Sequence, residues 1–210
     1  MAIGARFPGV LAAAGRGEDW AWAEIYRDLS PAVLGYLCGR GARDAEDLLG
    51  ECFVHVVRNL ARFEGDERAF RSWVFTIAHH RLVEHWRRSR LTPALGFSDD
   101  DVARRLDARP DPAAPDGALI QRASLVELLG NLPASQRDVL LLRVVNQFSI
   151  RETAAILGRT EAAVKLLHSR AVRAVQRSWA GRTSPRGVGS QPAHRPADSE
   201  APADNNLAAT

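Results

Sequence analysis

The chain has 210 residues, enough for one domain or two small ones, with 46% hydrophobic and 25% charged residues, a balance typical of soluble globular proteins. Its 28 basic and 25 acidic residues leave a net charge of +3, which points to no partner class, and its two cysteines, Cys38 and Cys52, exclude a disulfide-dense scaffold or a four-cysteine zinc site. No apolar run approaches the roughly 20 residues that span a bilayer, and Val139 to Val145 is broken by Arg143.

The N-terminal segment, 1–17, has Arg6 ahead of the apolar run Val10 to Ala14. That run is too short for a signal peptide and follows Pro8 and Gly9, so the expectation is a reduced, cytoplasmic protein with no membrane insertion. Proline placement then divides the chain. Of eleven prolines, four (Pro93, Pro110, Pro112, Pro115) fall in an Asp-rich stretch and four (Pro185, Pro192, Pro196, Pro202) follow Gly181. The first stretch reads as an exposed acidic linker, 91–122, and the second, 181–210, as a disordered tail too poor in large apolar residues to offset chain entropy. Two blocks remain, 18–90 and 123–180. Pro8, Pro31 and Pro133 each sit where a helix could begin, and no stretch shows sustained period-2 alternation. The fold class is therefore all-α: two small helical domains on a flexible linker.

In the first block, Asp44 to Leu60 reads DAEDLLGECFVHVVRNL. Asp44 can cap a helix whose positive end suits Glu46 and Asp47. Leu49, Cys52, Phe53, Val56 and Leu60 recur at three- and four-residue steps, with Asp47, Glu51 and Arg58 away from that face. Such an acidic edge is either plainly solvated or a docking edge for a basic partner. The next helix, Ser72 to Arg90, puts Val74, Phe75, Ala78, Leu82 and Trp86 on one stripe and Thr76, His80, Glu84 and Arg87 opposite, with Trp73 at the edge. Six Arg and three His against one Glu between Arg68 and Arg90 make a solvated basic face or a nucleic-acid surface, with charge for phosphates and a ring for stacking. His80, Glu84 and His85 spell HxxxEH, which is not a zincin spacing, so no metal site is expected.

In the second block, Pro133 suits the first turn of a helix turning Val139, Leu140, Leu142 and Val145 inward. Ser149 and Glu152 form a capping box for a short helix, Gly158 suits its left-handed end, and Thr160 caps a third helix. That helix carries Val164, Leu167, Ala171 and Val175 on one stripe, and Ala162, Leu166, Ser169 and Arg173 opposite, flanked by Lys165 and Arg170. Helix, glycine turn and basic-faced helix make a helix-turn-helix signature, with a plain helical hairpin as the alternative.

Together, DAEDLLGECFVHVVRNLARF, RSWVFTIAHHRLVEHWRR, LPASQRDVLLLRVV and SIRETAAILGRTEAAVK resemble, in this order, the extracytoplasmic-function (ECF) class of RNA polymerase sigma factors, from about Leu11 to Trp179. The resemblance implies region 2 over 18–90 and region 4, the helix-turn-helix, over 123–180. It implies that Asp44, Glu46, Asp47, Leu48 and Glu51 dock on core RNA polymerase. It assigns the melted minus-ten element to the Phe63 to Phe70 loop and to Trp73, Thr76, His80, Arg81, Glu84, Arg87 and Arg88. It assigns the duplex minus-thirty-five element to Arg159, Thr160, Glu161, Ala162, Lys165, Leu166, Ser169, Arg170 and Arg173. The chain departs from the family at Gly50 (often Gln), Val57 (often Trp), His80 (often Asn), and Leu166 and Leu167 (commonly Ser and Arg). The implied protein is a nucleoid-associated specificity subunit held by an anti-sigma factor. It is not an enzyme and needs no cofactor. The alternative is a helix-turn-helix regulator that binds duplex DNA without polymerase.

Overall fold

The computed structural model describes residues 3–89 and 129–183, so the acidic linker and all but the first residues of the tail lie outside it. Seven α-helices, with no strand among the described residues, carry the fold. In chain order they are α1 (Phe7–Gly15), α2 (Asp19–Gly39), α3 (Ala45–Asn59), α4 (Glu67–Ser89), α5 (Ala134–Leu140), α6 (Ile150–Leu157) and α7 (Glu161–Thr183).

The segment before residue 18, read only as a terminus, is a working part of the core. Pro8 sits in the first turn of α1, and Phe7, Val10, Ala13 and Ala14 are buried. The chain start is fastened to α4, where the Glu67 carboxylate accepts from the Ile3 and Gly4 amides at 2.6 and 2.9 Å. Pro31 does not begin a helix as expected but lies inside α2. Its ring removes one backbone bond on an exposed face. Burial of Ile25, Leu29, Val33, Tyr36 and Leu37 on both sides of it holds the helix together.

α3 buries Leu49, Cys52, Phe53 and Val56 as its spacing predicts. Asp44 occupies its N-cap position, but its side chain makes no capping bond. α4 begins at Glu67, five residues earlier than the sequence reading, because Asp66 caps it through the Ala69 amide at 2.8 Å. The loop expected over 63–70 is therefore only Phe63 to Asp66.

In the second block Pro133 is the N-cap of α5 rather than part of its first turn. A π-helical stretch, Leu141–Val145, follows. Each i→i+5 turn inserts one extra residue, which rotates later side chains by about 100° from α-helical phase. Val139, Leu140, Leu141 and Leu142 are buried, but Val145, expected inside, is 56% exposed. Gln147 takes a positive φ of 58°, turning the chain into α6. The capping box is present: the Ser149 hydroxyl accepts from the Glu152 amide at 3.2 Å, and the Glu152 carboxylate accepts from the Ser149 amide at 2.6 Å. Gly158 ends α6 in the left-handed region, and the Thr160 hydroxyl caps α7 through the Ala163 amide at 3.2 Å.

The helix-turn-helix has small clusters of its own, one made by Val139, Ala154 and Val164. Yet Leu141, Leu142, Phe148 and Ile156 belong to the same buried cluster as Phe70, Phe75 and Leu37 of the first block. The two blocks share one core.

Gly158 has a φ of +60° and open space where a Cβ would sit, so a side chain there meets only conformational strain. Gly158→Ala should cost about 1 kcal/mol, read as a fall in urea midpoint with an unchanged slope.

Candidate nucleic-acid interface

The seam between the two blocks is built around Tyr36, buried at the end of α2. Its hydroxyl donates to Asp138 Oδ1 of α5 at 3.0 Å and lies 2.8 Å from His79 Nδ1 of α4. Arg40 Nε pairs with the same Asp138 oxygen, and both side chains are more than nine-tenths buried. The Arg40 guanidinium also lies over the Trp86 ring, 4.8 Å from its centroid. With Asp138 ionised against Arg40, the one Tyr36 proton goes to Asp138, so His79 donates to Tyr36 from Nδ1. Burial, then the neighbouring Arg40, His80 and Arg159, push His79 down to about 4. Burial raises Asp138 from the usual carboxylate range, against the opposing pull of Arg40 and the Tyr36 hydrogen bond.

A second contact crosses the same seam at the surface. Arg68, in the first turn of α4, grips the Glu152 carboxylate of α6 with Nε and with Nη2, the latter at 2.9 Å. That hydrogen bond and the bonds to Ser149 hold Glu152 down to about 2. Between these polar contacts, Phe75 meets Phe148 edge-on at 4.9 Å.

Away from the seam, two basic faces look outward. On α4, Trp73 stacks on Phe63 at 5.2 Å, beside Phe70 at 5.7 Å, which fixes the loop to the helix. Arg81 bonds His55 Nδ1 at 2.8 Å and Glu84 at 3.3 Å, while His80, Arg87 and Arg88 are exposed. On α7, Glu161, Ala162, Lys165, Leu166, Arg170 and Arg173 are exposed and Val164 and Ala171 are buried. The acidic edge of α3 adjoins α4, with Glu51 lying 3.9 Å from Arg88 and Asp44 lying 3.9 Å from His85.

Residues 23–92 match the family model for Sigma-70 region 2, and residues 122–175 match that for Sigma-70, region 4. Over 178 residues the chain is 32% identical to the ECF RNA polymerase sigma factor SigD of Mycobacterium tuberculosis, covering 80% of this chain and 82% of SigD. It is 30% identical over 178 residues to the ECF RNA polymerase sigma factor BldN of Streptomyces coelicolor, covering 82% of this chain and 66% of BldN. The chain belongs to the ECF RNA polymerase sigma factors. Two solved structures share its fold. One is CnrH, solved with the cytosolic domain of CnrY (TM-score 0.59, 21% identity, 83% of this chain and 97% of that one). The other is the sigma factor RpoE of Bartonella quintana, solved with the anti-sigma factor NepR (TM-score 0.59, 19% identity, 78% and 98%).

Within this sigma factor the residues assigned from the family pattern fall into three groups. Asp44, Glu46, Asp47 and Glu51 share the exposed edge of α3, but Leu48 is 2% exposed and fills the core instead of facing a partner. Trp73, Thr76, His80, Arg81, Glu84, Arg87 and Arg88 run along α4, with the Thr76 hydroxyl spent on the Ser72 carbonyl at 2.8 Å. Arg159, Glu161, Ala162, Lys165, Leu166, Arg170 and Arg173 line the outer side of the helix-turn-helix, where Thr160 serves as a cap and Ser169 is half-buried. Sequence reasoning missed the seam contacts of Arg40, Asp138, His79 and Arg68, and the Arg68 partner of Glu152, which it read only as a capping-box residue. These contacts carry no local signal, because each joins residues far apart in the chain.

A histidine whose folded pKa lies below its unfolded value favours the folded state above the unfolded pKa, and that advantage fades as pH falls. Relative to His79→Gln, the wild type should lose about 2 kcal/mol between pH 7 and pH 5, measured by urea unfolding at each pH.

Proposed function

We propose that this sigma factor binds core RNA polymerase and directs promoter-specific initiation, in the cytoplasm at the nucleoid, as a specificity subunit rather than an enzyme. In this reading Asp44, Glu46, Asp47 and Glu51 present negative charge to polymerase, and Leu48 sets the pitch of their helix from the core. The Phe63 loop, Trp73 and the outward residues of α4 hold the unpaired minus-ten strand. The rings of Phe63 and Trp73 offer a stacking surface, and Arg87 and Arg88 supply charge for phosphates. The outer face of α7 enters the major groove of the minus-thirty-five duplex, with Lys165, Arg170 and Arg173 positioned along it. An anti-sigma factor is the expected regulator, as for RpoE of Bartonella quintana, which was solved with NepR.

The observation that carries the reading is the coexistence of two separately exposed basic faces, on α4 and α7, with an acidic edge on α3 beside the first. A regulator that only bound duplex DNA would need the α7 face alone.

Run-off transcription with purified core polymerase tests the proposal. The wild type should initiate at a defined promoter, and Glu51→Arg should lose that activity while keeping its affinity for minus-thirty-five duplex. A wild type that neither binds core nor directs initiation would overturn it. Lys165→Ala should weaken duplex binding and reduce the log–log salt slope by about one, as loss of one phosphate contact requires. An unchanged slope, measured by fluorescence anisotropy across a salt series, would remove Lys165 from the contact set.

A further inference from the structure

Among the described side chains of α7, Leu166 is the one large apolar group left in solvent, 51% exposed. Its direction is fixed by how the helix is held. Thr160 caps the start of α7 and Gly158 sets the turn before it. Val164 then packs with Val139 and Ala154, and Ala171 with Leu132 and Leu140. At 100° per residue, Leu166 points about 160° away from Val164 and about 140° away from Ala171, straight out from the core. On the same exposed stripe Ala162 precedes it and Arg173 follows it, with Lys165 and Arg170 to either side. Leu166 is the sixth residue of the helix, in its second turn. The N-terminal part of a recognition helix is the part that reaches base edges.

A leucine in that place has a narrow chemistry. It has no group that bonds a base, so over guanine or cytosine it displaces water from donors and acceptors and returns nothing. The one apolar feature of the major groove is the 5-methyl group of thymine. Over that methyl, two apolar surfaces leave water together. Ala162, one turn earlier, is too short to hold Leu166 off the groove. The charged neighbours suit phosphates, which position a helix without reading sequence. Discrimination at the centre of the stripe is left to Leu166.

We propose that Leu166 is a specificity-determining residue that reads a thymine methyl in the upstream duplex element. It requires a thymine·adenine pair at one position and rejects guanine and cytosine there by leaving their polar edges unpaired. The inference rests on the proposed function, in which the outer face of α7 enters that duplex.

Holoenzyme assembled from core polymerase and the full chain tests it, on duplexes with a randomised upstream segment. Wild type should enrich thymine at one position where Leu166→Ala shows no preference, while the preferences at other positions agree. Duplexes differing only in the 5-substituent at that position then isolate the methyl. Deoxyuridine in place of thymidine should weaken wild-type binding about fourfold, the worth of one buried methyl. 5-Methylcytosine should bind better than cytosine by a similar factor. Both differences should vanish in Leu166→Ala, whose urea midpoint should match wild type because the side chain is exposed. Identical base preferences in the two proteins, or a deoxyuridine penalty that is absent from wild type or equal in both, overturns the proposal and leaves the sigma-factor function standing. A wild-type holoenzyme that selects no upstream sequence removes both.

Discussion

Asp138 is a carboxylate placed where carboxylates rarely survive, buried between two helical blocks with a buried arginine against it. An ion pair of this kind gains little net stability over an apolar replacement, because desolvating two charges costs about what their attraction returns. Losing one partner is another matter and costs about 3–5 kcal/mol, since it strands a charge away from water. The pair therefore acts chiefly on arrangement, tying the start of α5 to the end of α2. Tyr36 and His79 extend the constraint to α4, so three helices from two sequence blocks meet at one polar point. The position of Phe148 on Phe75, and of Glu152 on Arg68, follows from that docking.

The near-neutral net charge conceals strong local sorting. The C-terminal half of α4 and the outer face of α7 are each basic, and the start of α3 is acidic. The fold brings α3 and α4 side by side, close enough for Glu51 to approach Arg88 and for Asp44 to approach His85. A protein that must touch both a polymerase and a nucleic acid needs these opposite surfaces on one small block. The weak, exposed cross-pairs between them are easily exchanged for partner contacts.

Local chemistry was legible in the sequence, and long-range pairing was not. Ser149, Glu152, Gly158 and Thr160 announce their roles because capping and left-handed turns are decided within four residues. The apolar stripes of α3 and α4 are likewise legible, because 3.6-residue periodicity is local. Val145 was misplaced because the π-helical stretch after Leu140 shifts the phase. Pro31 was misread as a start because packing on both sides of it outweighs one lost hydrogen bond. α1 escaped notice because its alanines and glycines give little amphipathic contrast. The seam had no signature: Asp138 in SQRDVLLL looks like an ordinary solvated residue, and Tyr36 is 102 positions away. The candidate site divides the same way. The exposed faces of α4 and α7 could be drawn from spacing, but the burial of Leu48 and the capture of Arg68 depend on what other helices place beside them.

The central claim is that α3 meets polymerase while α4 and α7 meet DNA, and hydrogen–deuterium exchange of the full chain tests it directly. Adding core polymerase should slow exchange in α3, and promoter DNA added to that complex should slow it in α4 and α7. Protection confined to α7, or none in α3 with core polymerase, would contradict it.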